Sequence, residues 1–449
     1  MNSLKYIPLS LILSTSLLLA SQDLDESLSQ DHTYEKQAQA KQALDIGAGW
    51  KVFGDLRTGW LEYGYGNPPP GNSSINQGHK DSKGIYVIPK LSIQSPYYNG
   101  FMFKATLAGA TDFGINDPDY ESRNFVFDGS DNKSFVILQE SFFYYETKHN
   151  KVLVGREELT TPMIDADDWY MLSNSFELAR YQNSSIDDIT FDLGYFYKMS
   201  GVWDSGANGT EFHSMSDASF IDSADKLAIK DTGIFFGAFN YNDEKNHNLE
   251  VWDYYAQDMY NTVFVQYDYT DSVSSFKYDF GLQYMNFKEV GYLATDAAST
   301  KIDYSLYSAR FDGNFDNGIN FATGYAKYTD GQGQGATLGA FGGYPYFANG
   351  MIFHFFEAGS LQNAASYKAQ VGYNILDNLW LGYRYTYFDL DPTFSQNANG
   401  QTQNAMKLNG IRLSYGGEFG GYFTGTYENV DLDNEPNTYS LRLIGGYKF

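Results

Sequence analysis

From Gly47 to the last residue, apolar and polar side chains alternate with a period of two, which predicts extended strands with two chemically different faces. Four segments carry the pattern most clearly. Phe276, Tyr278, Phe280, Leu282 and Tyr284 interleave with Lys277, Asp279, Gly281 and Gln283. Tyr367, Ala369, Val371, Tyr373 and Ile375 interleave with Lys368, Gln370, Gly372 and Asn374, and Leu379, Leu381, Tyr383 and Tyr385 oppose Gly382, Arg384 and Thr386. The chain ends on Leu441, Leu443, Gly445, Tyr447 and Phe449, opposite Ser440, Arg442, Ile444, Gly446 and Lys448. Soluble sandwiches also alternate, but their strands average ~5 to 6 residues. The runs here approach ~10 residues with aromatic rings at their ends, which suits strands crossing a bilayer with a ring girdle at each interface. The pattern predicts an all-β fold: one transmembrane antiparallel β-barrel over residues 47–449, with one face of each strand on lipid and the other around water.

The connections sort by length. Short ones include Tyr97-Tyr98-Asn99-Gly100, Lys148-His149-Asn150, Asp243-Glu244-Lys245-Asn246, Asp316-Asn317-Gly318, Leu376-Asp377-Asn378 and Gly416-Gly417-Glu418. Long ones cover 66–83, 114–133, 160–174, 199–230, 329–362 and 390–404. Short turns belong on the periplasmic side and long loops outside. That parity requires a strand over 175–185 turned at Asp187-Asp188, and it keeps 351–357 inside a long loop although its pattern could pass for a strand. The expected count is about eighteen spans, nine turns and nine loops, with both termini periplasmic and no residues left for a plug domain.

Composition supports the barrel: aromatics reach 18%, with Tyr 39 and Phe 34, Gly is 44 and Pro only 11. Residues 1–20 read as a signal peptide, with Lys5 in the n-region, an apolar stretch over 7–19 and the small Ala20 at the cleavage point. Residues 21–46 read as a flexible, charged periplasmic leader. Cys is absent, which removes a disulfide framework and an acylated lipoprotein anchor. The net charge of −25 argues against nucleic acid, whose phosphates need cationic partners. The run Gly331-Gln332-Gly333-Gln334-Gly335 lacks the strand-to-helix setting of a nucleotide-binding turn. His32, His79, His149, His213, His247 and His354 lack metal-ligand spacing and none stands beside a nucleophile elbow, so no metal, cofactor or enzymatic activity is expected.

A wide aqueous bore needs an element that sets its size limit. The third long loop carries Thr160-Thr161-Pro162-Met163-Ile164-Asp165-Ala166-Asp167-Asp168-Trp169-Tyr170 and leads to Glu177. Asp165, Asp167 and Asp168, with Trp169 and Glu177, are the candidate constriction lining, where carboxylates would favour cations. A solvated acidic loop or a weak divalent-cation site is the competing reading. Arg57, Lys90, Lys104, Arg156, Lys277, Arg310, Lys368, Arg384, Arg412 and Arg442 fall on the polar side of their strands and form a candidate basic wall. Ion pairs that brace the barrel are the bland alternative for each of them. The closing strand, with Tyr447 and Phe449 at alternate positions, resembles the signal read by the barrel assembly machinery. The expected partners are outer-membrane lipid, lipopolysaccharide, that machinery and small polar solutes or ions. A passive porin is the first reading, and an adhesive or structural barrel acting through its long loops is the alternative.

Several stretches resemble the OprD family of outer-membrane porins in its epsilonproteobacterial version. They are Gly155-Arg156-Glu157-Glu158-Leu159-Thr160-Thr161-Pro162, Asp167-Asp168, Ser175-Phe176-Glu177, Val251-Trp252-Asp253-Tyr254-Tyr255-Ala256 and Gly339-Ala340-Phe341-Gly342-Gly343-Tyr344-Pro345-Tyr346. The resemblance implies an eighteen-stranded barrel, monomeric with a trimer as the alternative. It also implies that the third and seventh loops narrow the lumen, which nominates Phe341, Tyr344, Pro345 and Tyr346, and that a ladder of arginines guides carboxylate-bearing solutes. The acidic third loop departs from that ladder.

Overall fold

The computed structural model describes residues 43–65, 81–116, 134–168, 171–201, 210–219, 221, 223–229, 231–296, 301–331, 341–343, 345–352, 360–397, 399–417 and 419–449. The expected signal peptide and most of the leader lie outside the described residues. Among the described residues, eighteen strands close a single antiparallel barrel. They are β2 (Trp50–Tyr65), β3 (Ser82–Gln94), β4 (Phe101–Ala110), β5 (Phe135–Glu146), β6 (Asn150–Glu157), β7 (Ser175–Ile186), β8 (Ile189–Ser200), β10 (Ile234–Asn242), β11 (His247–Ala256), β12 (Tyr260–Val273), β13 (Phe276–Glu289), β14 (Asp303–Phe315), β15 (Ile319–Tyr328), β16 (Ala365–Leu376), β17 (Leu379–Asp389), β18 (Ala405–Gly416), β19 (Gly421–Leu432) and β20 (Thr438–Lys448). Two short strands stand outside this count. β1 (Leu44–Gly47), at the end of the leader, folds back on β2, and β9 (His213–Ser214) pairs with β8 inside the fourth loop.

Each barrel strand pairs with its neighbour in sequence, and β2 closes on β20 in unbroken register from Asp55–Lys448 to Tyr65–Thr438. Below that seam Gly54 and Phe449 exchange both backbone hydrogen bonds, at 2.8 and 3.0 Å. Closure removes the sheet edges, whose unpaired N–H and C=O groups hydrocarbon would not satisfy.

Burial along the strands is inverted relative to a soluble protein. In β13 the apolar Phe280 and Leu282 are exposed while Asp279 and Gln283 are buried. In β16 and β17, Val371, Tyr373, Leu381 and Tyr383 face out, while Gln370, Arg384 and Thr386 face the bore. Rings pair across strands on the outer face, as in Phe101–Tyr145 and Phe276–Phe315, with centroids 4.5 and 4.7 Å apart. Trp380 breaks the alternation of chemistry. It sits on the inward side, fully buried, and lies across Gly372 and Gly382, where a Cβ would collide with its ring.

The turns fall where the pattern predicts them. In the β10–β11 turn, Asp243 Oδ1 accepts the N–H groups of Lys245, Asn246 and His247 at 2.9–3.0 Å. Those donors, His247 first, hold its carboxyl down at about 2. Parity over 175–188 holds as well, with β7 and β8 joined at Asp187 and Asp188. Two expectations need correction. The strands are joined by eight short turns rather than nine, because β2 starts and β20 ends on the turn side and the β2–β20 seam occupies the ninth place. The fifth loop, 257–259, is as short as a turn, so loop length alone does not mark the outer side.

Because the outer face meets hydrocarbon, Val371→Arg near the middle of β16 is expected to cost about 2–4 kcal/mol, while inward-facing Asn374→Arg costs under about 1 kcal/mol. Urea-unfolding midpoints in lipid vesicles report the difference.

Candidate functional site

The third loop leaves β6 after Glu157 and turns into the bore. Thr161 and Pro162 start a tight turn in which the Thr161 N–H and hydroxyl both donate to the Ile164 carbonyl at 2.8 Å, and the hydroxyl accepts the Ile164 N–H at 3.2 Å. The turn presents Met163 and Ile164, each at most 1% exposed, to an aromatic patch on the inner wall. That patch comprises Phe236, Trp252, Tyr254 and Phe264 from β10, β11 and β12, and the Tyr254 hydroxyl accepts the Met163 N–H at 3.5 Å. The inward fold therefore has a hydrophobic cause: this stretch of wall is apolar and needs covering.

The seventh loop docks on the third. The Phe341 N–H donates to the Met163 carbonyl at 2.7 Å, and the Asp165 N–H donates to the Phe341 carbonyl at 2.9 Å. Two glycines allow the approach. Gly342 has φ +84°, and a Cβ there would lie 2.6 Å from the Asp165 carbonyl oxygen, while one on Gly343 would strike the Pro162 carbonyl. Within the third loop, Asn174 donates to the Asp165 carbonyl at 3.2 Å.

Beyond this bridge, residues 345–352 run around the inner wall, across the strands. Gln283 on β13 donates to the Pro345 carbonyl at 2.5 Å, and the Arg310 guanidinium on β14 lies 4.7 Å from the centre of the Phe347 ring. On β17, Thr386 donates to the Asn349 carbonyl at 2.8 Å and Arg384 to that of Gly350 at 2.7 Å. Arg412 on β18 donates to the Met351 carbonyl at 2.8 Å. Glu428 on β19 accepts the Met351 and Ile352 N–H groups at 2.7 and 2.6 Å. The third loop extends the belt across the seam: Arg57 on β2 reaches the Asp168 carboxylate at 2.5 Å and the Met171 carbonyl at 3.0 Å, and Arg442 on β20 reaches the Asp168 carbonyl at 3.5 Å. Lys90 on β3 holds Glu158 at 2.6 Å and Ser173 at 3.0 Å.

The acidic run thus lies inside the barrel, with its three carboxylates in different settings. Asp168 is paired with Arg57, and Asp165 accepts from the Thr160 hydroxyl at 2.6 Å. Burial, and then the charges of Asp168 and Asp165, push the Asp167 carboxyl well above its ordinary value, against a smaller pull from Arg442. Trp169 and Tyr344 lie outside the described residues. Phe341 is buried where the loops meet, Tyr346 is buried in the strap, and Pro345 beside it is half-buried.

The basic side chains do more local work than a wall would. Arg57, Lys90, Lys104, Arg310, Lys368, Arg384, Arg412 and Arg442 face inward, most of them bonded to a loop or to a carboxylate. Lys104 holds Glu140 at 2.7 Å, and Arg310 holds Asp268 and Asp279 at 2.8 and 3.0 Å. Lys277 is exposed at the turn end of β13. Arg156 and Glu177 need correction. Alternation puts Arg156 on the side of outward Val154 rather than of buried Leu153, and Arg156 pairs with Glu177 across the register at 2.7 Å, under the ring of Phe212. That pair belongs to the outer side of the wall and not to the constriction. Glu428, Gln283 and Thr386 were absent from the sequence candidates. Their only sequence signal is an inward position on a strand.

The profile of outer membrane porins of the OprD family matches residues 146–386. The chain belongs to this family. Among solved structures, OccAB4 of Acinetobacter baumannii aligns with a TM-score of 0.70 and 16% identity, over 90% of this chain and 99% of that one. OccK2 (OpdF) of Pseudomonas aeruginosa, in complex with glucuronate, gives the same four values. OpdK of Pseudomonas aeruginosa with vanillate aligns with a TM-score of 0.69 and 11% identity, over 89% and 98%. No curated protein matches the chain. This OprD-family porin is a multi-pass protein of the outer membrane, its outward strand faces in lipid and its bore a channel for small solutes.

Gly342→Val places a branched side chain at positive φ between the two loops. The Asp165 and Phe341 amides are then expected to lose most of their hydrogen-exchange protection while the strand amides keep theirs, as amide exchange in detergent micelles would show.

Proposed function

We propose that the protein is a passive diffusion channel whose narrowest section is the meeting of the third and seventh loops, and that the acids of the third loop set its preference for cations. The reading rests on one observation: the paired backbone hydrogen bonds between Met163, Asp165 and Phe341, which support placing Asp165, Asp167 and Asp168 in the path of solutes. In a water-filled bore with a low-dielectric wall, a few carboxylates focus enough field to enrich cations. Asp165, Asp167 and Asp168 share that role, and Arg57 reduces the part of Asp168 by pairing with it. Assembly of the chain would proceed through recognition of the closing strand, with Tyr447 and Phe449 as its readable positions.

A second reading has an observation in its favour. Lys368, Arg384, Arg412, Arg442, Arg57 and Lys90 form an inward basic arc over neighbouring strands, and glucuronate and vanillate, bound by the two relatives, are small carboxylates. Carboxylate solutes would then follow that arc. Loop carbonyls and carboxylates occupy much of its hydrogen-bonding capacity, which favours the first reading.

Reversal potentials across planar bilayers under a salt gradient separate the two. The wild-type channel is expected to favour cations, and the Asp165→Asn, Asp167→Asn, Asp168→Asn triple variant to lower the cation-to-anion permeability ratio roughly two-fold or more. A reversal potential unmoved by the triple variant removes the third loop from the account.

Acidity offers a separate check. A carboxyl raised above its ordinary value takes up its proton at a higher pH than a free aspartate, so the loop loses Asp167's charge early as pH falls. Cation preference is therefore expected to decline on mild acidification, starting above the ordinary carboxylate range. In Asp167→Asn that early step disappears, as reversal potentials recorded along a pH series would show.

A further inference from the structure

We propose that Glu428 is the positioning residue that clamps the seventh-loop strap to the wall and thereby sets the width of the channel; this rests on the reading that the third and seventh loops form the constriction. The strap at 345–352 runs across the strands, so no sheet ladder can take up its backbone groups, and inward side chains must satisfy them instead. Its carbonyls have several partners: Gln283, Thr386, Arg384 and Arg412 each take one. Among the described residues, the Met351 and Ile352 N–H groups both go to one carboxylate. Glu428 is 0% exposed, and each of its oxygens accepts one of these consecutive amides. Bonds of this kind are charge-assisted and stronger than neutral ones.

The wall beneath the clamp is cut to fit. Gly410 stands opposite Glu428 in the β18–β19 register, and a Cβ there would come within 2.9 Å of the Met351 sulfur and 3.0 Å of a Glu428 oxygen. Gly324 on β15 leaves the same room for the strap further along, since a Cβ there would lie 2.5 Å from the Phe347 carbonyl oxygen. Arg412 sits two residues from Gly410, donates to Thr426 at 2.8 Å and grips the Met351 carbonyl, so Met351 is held at both its N–H and its C=O. The strap is thus seated by shape along its length and fixed electrically at its far end. Glu428 touches no solute in this account; it acts through the strap.

The test compares Glu428→Gln, Glu428→Asp and Gly324→Ala in the full-length chain. Glutamine keeps the shape but offers one acceptor oxygen and turns an N–H₂ group toward the second amide. Gly324→Ala displaces the strap from another point with Glu428 intact. Single-channel conductance of Glu428→Gln and Gly324→Ala is expected to fall by about a third with added current noise, because a strap no longer held to the wall moves into the bore and the narrowest section governs conductance. Glu428→Asp, which keeps both acceptors, is expected to return part of the way toward wild type. Amide exchange over 345–352 gives a readout independent of conduction: Met351 and Ile352 are expected to lose protection in Glu428→Gln while strand amides retain theirs. Unchanged protection overturns the clamp, whatever the currents do. Lost protection with wild-type conductance and noise overturns its control of width. A wild-type channel that conducts, but whose selectivity ignores the third loop, counts against the functional reading and leaves the exchange result to decide the clamp.

Discussion

Everything in this molecule follows from the need to pair backbone N–H and C=O groups where no water can reach them. In hydrocarbon an unpaired peptide group costs several kcal/mol, so strands that cross the membrane must close into a ring. The β2–β20 seam meets that demand, down to the last residue, where Phe449 and Gly54 bond each other. The same demand shapes the inside. A segment lying across strands has no ladder to join, so the belt formed by the third and seventh loops borrows side chains from the wall: Arg57, Gln283, Arg384, Arg412 and Glu428.

A second constraint decides where the belt lies. The stretch of inner wall that faces the third-loop turn is aromatic, at Phe236, Trp252, Tyr254 and Phe264. Water against that patch is unfavourable, and Met163 and Ile164 relieve it by folding in. Hydrophobic burial thus brings an acidic loop into the lumen, where Arg57 pairs with Asp168.

The barrel was legible in the sequence because period-two alternation and face chemistry are local properties. Phe280 and Leu282 against Asp279 and Gln283 already state which side meets lipid. The strand count followed from parity, and only the ninth turn was an overcount, since closure joins strands at opposite ends of the chain. The third and seventh loops were legible through their motifs, with Gly342 and Gly343 among the residues that proved to matter for contact. Polarity alone assigns Arg156 to the bore, whereas an ion pair with Glu177 lets a charged side chain sit on the outer side. Trp380 and Glu428 were not legible. Trp380 faces inward because two glycines on adjacent strands make a flat seat for it, and Glu428 meets amides 76 and 77 residues away. Such pairings exist only once the barrel closes.

The central claim is that one face of each strand touches lipid while the other encloses conducting water. Because the chain holds no cysteine, single thiols can be placed at will. Lys368→Cys on the inner face and Val371→Cys on the outer face of β16 should be compared with a charged, membrane-impermeant thiol reagent during planar-bilayer recording. The account predicts that Lys368→Cys reacts and its current falls, while Val371→Cys neither reacts nor changes its current. Equal reaction at both positions, or modification of Lys368→Cys without any change in current, would contradict it.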